Sequence, residues 1–170
     1  MKQHIKTIVK AALLVIVAVW VIDKMPFNKK IDHQIAASLY ENGTITGQTT
    51  VVMKGEKSRY LFRRSEQFWG KFQILSCEKT TRENMSAGIS WNGDDPMQTI
   101  LYTSSGVFPD MDIMYYLLIN EEMTKFALML GDGTVLATSD ELYQLYIKHF
   151  SINSAGGMSI DDIAGIPKIQ

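Results

Sequence analysis

The sequence predicts a mainly β protein, an antiparallel open barrel or sandwich of about eight or nine strands with one C-terminal helix, preceded by an N-terminal membrane helix. Three observations predict it. Runs of alternating apolar and polar residues recur between turn formers from residue 34 to residue 137, one stripe at helical spacing follows them, and an uninterrupted apolar run stands near the N-terminus.

Lys2, Lys6 and Lys10 precede the apolar run Ala11 to Ile22, which Asp23, Lys24 and Pro26 close. A basic region followed by an apolar one is an export signal. At a rise of ~1.5 Å per residue the run covers about 18 Å, short of the roughly 30 Å hydrocarbon core, and that length favours a cleaved signal peptide. Against cleavage, Val19 to Lys24 are too large or charged for an A-x-A site. Counted from Ile5 to Ile22 the helix reaches about 27 Å, provided Lys6 and Lys10 extend their stems to headgroup water, and Trp20 falls at the opposite interface. The expectation is a retained single-pass signal-anchor within 5–22, with a cytoplasmic N-terminus and an extracytoplasmic C-terminal domain in the cell membrane. Secretion after cleavage is the alternative. A buried core helix is disfavoured because residues 11–22 have no polar face.

Residues 23–33 are polar with one proline and read as a linker, so the chain divides into an anchor and linker at 1–30, an exported β domain at 31–152 and a flexible tail at 153–170. Asn42-Gly43 between Gln34–Glu41 and Thr44–Met53 signals a hairpin, since both residues accept positive φ. A competing helix over 31–41 would use Ile31, Ile35 and Leu39. Gly55 reads as a turn into Ser58–Arg63. Phe68, Gly70, Phe72 and Ile74 then share one face, and Trp69, Lys71 and Gln73 the other. Gly88–Trp91 and Gln98–Thr103 flank the turn formers of residues 92–96, and Ile113–Ile119, apolar on both faces, reads as a strand covered on both sides. Turns at 120–122 and 131–133 complete a meander through Lys125–Leu130 and Thr134–Ala137. Thr138 with Glu141 predicts a helix start, and Leu142, Leu145, Tyr146 and Phe150 form its stripe. The expected core includes Leu61, Phe72, Ile74, Ile100, Tyr115, Leu117, Phe126, Leu128, Val135 and Leu145.

Chemistry is sparsely supplied. One cysteine, Cys77, excludes an intramolecular disulfide framework and multi-cysteine metal sites, and seventeen basic against eighteen acidic residues argue against a nucleic-acid binder. His33 and His149 are the candidate bases of the exported part, and neither has a supporting motif. Carboxylates are more numerous, with Asp110 and Asp112 and the pair Asp161-Asp162 among them; Asp94-Asp95 precede a proline and read as turn formers, and Asp132 between two glycines supplies one ligand where a calcium loop needs several. No catalytic residue, metal site or cofactor is expected.

Charge is unevenly spread. Residues 54–82 hold eight basic and three acidic residues, and residues 83–170 hold three basic and twelve acidic. If Lys57, Arg59, Arg63, Arg64 and Lys71 share a face, they form a patch for anionic lipid or an acidic wall polymer. If basic strands pair with acidic ones, the charges neutralise each other across the sheet.

The stretch from Tyr40 to Ile74, with its Asn-Gly hairpin, Val51-Val52-Met53-Lys54-Gly55, Leu61-Phe62 and Phe68-Trp69-Gly70-Lys71-Phe72-Gln73-Ile74, resembles small uncharacterised membrane-anchored exported proteins of Gram-positive bacteria. The resemblance implies an anchored β domain and brings no site residues. The function expected is a non-catalytic, membrane-anchored extracytoplasmic binding or interaction module. A structural subunit of an envelope complex and an envelope hydrolase with an unrecognised site are the alternatives.

Overall fold

The computed structural model describes residues 2–60, 65–92, 97–105 and 111–154. Helix α1 (Lys2–Lys24) leads into strands β1 (Phe27–Glu41), β2 (Thr44–Arg59), β3 (Ser65–Ile74), β4 (Met85–Asn92), β5 (Met97–Ser104), β6 (Met111–Ile119), β7 (Phe126–Met129) and β8 (Val135–Ala137). A one-turn helix α2 (Glu78–Thr81) precedes β4, and α3 (Asp140–Ser154) follows β8. Each strand pairs antiparallel with the next, and β8 returns to β1, so the sheet is a closed eight-stranded barrel, neither the open barrel nor the sandwich expected.

Alternation explains the wall. Inward residues Val51 and Met53 of β2, Phe68, Phe72 and Ile74 of β3, Ile89 of β4, Ile100 of β5 and Leu117 of β6 are buried together and fill the barrel. The ring of Phe72 meets that of Phe126 edge to face at 5.7 Å. Tyr102 also points inward, and its hydroxyl donates to the Phe72 carbonyl at 2.8 Å, which removes the cost of a buried polar group. Outside, Leu118, Ala127, Val135 and Ala137 form a second apolar surface beneath Leu142, Tyr143 and Tyr146 of α3. The C-terminal end of β6 is therefore covered on both faces, with Leu117 inside and Leu118 under the helix, whereas Tyr116 before them is exposed.

The hairpin at Asn42-Gly43 forms with φ of 50° and 86°, so 31–41 is strand and not helix. Several expectations are corrected. β1 begins at Phe27, inside the expected linker, because Asn28–His33 finds a full ladder on β2. Gly55 makes no turn; β2 runs through it, and Gly55 lies opposite Gly70. A Cβ on Gly55 would stand 2.3 Å from the Trp69 carbonyl oxygen, and one on Gly70 2.3 Å from that of Lys54, so the glycines serve a close approach of two backbones. The helix is capped by Ser139, whose Oγ accepts from the Leu142 amide at 3.3 Å, while Thr138 instead accepts from the Phe126 amide at 3.1 Å. α2 was not legible; it is held by Thr80, whose hydroxyl accepts from the Ile74 amide at 2.9 Å. Of the expected core, Tyr115 and Leu145 are half-buried, Val135 lies under α3, and Leu61 falls outside the described residues, as do the Phe150 side chain and the tail from 155 on.

Among the described residues, no helix is long and apolar enough to cross a membrane. α1 is nonetheless open to solvent along its apolar length: Leu13, Leu14, Val15 and Ile16 are 62–70% exposed.

Candidate functional site

One end of the barrel carries the charged groups. β1 starts there at Phe27, just after α1, β2 ends there at Arg59, and β3 starts there at Ser65. Two-residue alternation puts Lys57 in the inward row with Val51 and Met53, so an ammonium enters the barrel rim and is only 7% exposed. A buried cation is costly unless its donors are engaged. Here Lys57 Nζ lies 2.5 Å from Glu66 Oε2, donates to the Glu121 carbonyl at 2.7 Å, and sits 4.4 Å from the centre of the Trp91 ring. Arg59, two residues on along the same row, reaches the other Glu66 oxygen with Nε at 3.2 Å while its side chain stays 71% exposed.

Between these groups opens a cavity of about 330 Å³, bordered by Phe27, Asn28 and Lys29 on one side and Glu121 and Glu122 on the other. Lys29, Lys57 and Arg59 share its lining with Glu66, Glu121 and Glu122, so the mouth offers no field of a single sign. Lys57 works as a charged stopper that seals the filled interior from this mouth.

The expected patch is divided. Lys57 and Arg59 converge on Glu66, whereas Lys71 lies in the outward row of β3 and donates to the carbonyls of Glu83 and Met85 at 2.6 Å each. Arg63 and Arg64 lie outside the described residues. Lys57, Arg59 and Lys71 thus each bind oxygens of the fold, the first two a carboxylate of the basic segment itself and Lys71 main-chain carbonyls. Glu66 was hidden within a basic run, although the short β2–β3 connection sets it directly opposite Arg59. The Glu121 contact uses a main-chain oxygen, for which side-chain patterns carry no signal.

Other candidates are dispersed. Cys77 is a half-buried free thiol ahead of α2, packed against the core. Burial, and next the neighbouring thiol, push Tyr102 well above the usual phenol range and raise Tyr115. His33 is half-buried on β1 and His149 is buried on α3. Asp132 accepts from the Thr134 amide at 2.9 Å, and that bond holds its carboxyl below the ordinary value, as a turn-forming aspartate does. Asp94, Asp95, Asp110, Asp161 and Asp162 fall outside the described residues. Among the described residues no group of three or more histidine, cysteine or carboxylate side chains is placed to hold a metal ion.

No family model, no curated protein and no solved structure matches the chain.

Proposed function

We propose that the protein is a non-catalytic module seated on a membrane by α1, with the barrel held outside the cytoplasm as a binding or interaction domain. The observation that carries this reading is the exposed apolar length of α1, since a chain that leaves valine, leucine and isoleucine open on every side of a helix is stabilised by placing it in lipid. From Ile8 to Ile22 the helix rises about 22 Å, less than the roughly 30 Å core, so the seating relies on Lys6, Lys10 and Lys24 reaching out to headgroups. Lys24, Lys29 and Lys30 are exposed at the junction with the barrel and offer anionic lipid its nearest contacts.

Fractionation of cells expressing the full chain tests this. Retention in the membrane pellet through alkaline carbonate, with the barrel open to protease on intact spheroplasts, supports it. Recovery of the chain in the soluble fraction, or release of a fragment beginning near residue 24, overturns it.

A further inference from the structure

Closure of the barrel leaves one strand half paired. All fifteen residues of β1, Phe27–Glu41, have partners on β2. On the other flank only Ser38, Leu39 and Tyr40 are paired, with Ala137, Leu136 and Val135 of β8. Among the described residues, neither a strand nor a turn or loop backbone hydrogen bond reaches Phe27–Ala37 from that side. Alternate residues of this stretch direct amide and carbonyl groups outward into an open edge.

The inward row of this stretch is unevenly covered: Ile31 and Ala37 are buried, whereas Ile35 and His33, directly opposite the completely buried Val51 and Met53 of β2, are half-buried. An open edge is a template for another strand, and lysines usually keep strands away from it. Lys29 and Lys30 are exposed there, but Asp32 follows two residues later on the same outer face as Lys30.

That spacing is self-complementary, and the geometry points to a second copy of this chain as the occupant, its β1 paired antiparallel with this one about a two-fold at Ile31. Lys30 then stands opposite Asp32 of the second copy, twice over, with Ile31 against Ile31 on the inner face and Asn28 against Gln34. The register is selected by charge: a two-fold at Lys30 or at Asp32 would set that residue against itself, and like charges directly opposite are destabilising. Such a two-fold stands normal to the ribbon, so both copies of α1 can enter one bilayer when the ribbon lies along it. The pairing itself does not rest on that seating.

Sedimentation velocity of the full chain in mild detergent, from low to high micromolar concentration, reads the outcome. The wild type dimerises; Lys30→Glu and Asp32→Lys each weaken the dimer by about tenfold or more, and the K30E/D32K pair restores it. Within one chain Lys30 faces Glu56 and Asp32 faces Lys54, so a purely intramolecular role predicts that the double variant is the worst folded and regains nothing. Amide hydrogen exchange of the wild type gives a second reading, with protection over residues 28–35 rising with concentration. A chain monomeric throughout, a dimer indifferent to all three variants, a double variant as dissociated as the single ones, or exchange independent of concentration overturns the proposal.

Discussion

Lys57 and Glu66 form an ion pair inside the barrel rim, 2.5 Å apart with side chains 8% and 13% exposed. Removing one partner of a buried pair strands the other charge, which costs more than the pair was worth. Glu66→Gln is expected to lower stability by about 3 kcal/mol, because the buried Lys57 loses its counter-charge and is left with neutral partners, the Glu121 carbonyl, the Trp91 ring and at best an amide oxygen. Lys57→Met should cost less, since Glu66 retains Arg59. Urea midpoints in the order wild type, Lys57→Met, Glu66→Gln check this, and the reverse order of the two variants refutes it.

The two close-approach sites should respond differently to alanine. At Gly55 and Gly70 the added carbon meets main-chain oxygens at 2.3 Å, which cannot move without separating β2 from β3. Either substitution should cost more than about 3 kcal/mol or prevent folding. At Gly88 the carbon meets Trp69, 2.8 Å from Cζ3, and Trp69 is an exposed side chain free to turn away. Gly88→Ala should cost about 1 kcal/mol. Thermal melts that rank Gly88→Ala as the most damaging of the three would contradict the geometry.

Alkali should loosen the seat of α3. Tyr40 stacks on Tyr143 at 4.2 Å, its hydroxyl donates to Asp140, and burial together with that carboxylate raises its pKa. Burial also raises Tyr146, whose hydroxyl donates to the Tyr116 carbonyl at 3.1 Å. A phenol with a raised folded-state pKa contributes stability that is complete below its unfolded value near 10 and is lost as pH rises through the folded value. Melting should therefore fall above about pH 10, and Tyr40→Phe should flatten part of that fall while lowering stability at neutral pH by about 1 kcal/mol. An alkaline limb identical in both proteins would exclude Tyr40 from it.

Truncation in the barrel interior has a direct cost. Leu117 and Phe126 are completely buried, and replacement of either by alanine should destabilise by roughly 2–5 kcal/mol. The same change at exposed Ile45 should stay within about 0.5 kcal/mol. Denaturant titration of the three variants distinguishes these outcomes.

Local pattern carried much of the architecture into the sequence. Phe68 to Ile74 alternates because one face is buried, Asn42-Gly43 turns because both residues take positive φ, and the doubly apolar Leu117-Leu118 needed cover on both sides. What failed depended on distant partners. Gly55 looks the same in a turn as in a strand until Gly70 is known to face it, and neighbouring hydroxyls at 138 and 139 compete for one cap. Closure of the sheet rests on Ser38–Tyr40 meeting Val135–Ala137, a match with no trace in either segment alone. The site was the least legible part: five cations close in sequence suggested a surface, but strand alternation sends Lys57 inward and Lys71 outward.

The short β1–β8 seam sets an order of events in folding. The meander from β1 to β7 can grow by adding neighbours, but the seam must bring Ser38 to Ala137 across almost the whole barrel sequence and is rewarded by only three ladder pairs. Closure therefore comes late, once Tyr40 and Tyr143 can stack and α3 can bind across the join. In the reverse direction the same join is expected to give way first, with α3 leaving together with β8 before the interior between β2 and β6 opens.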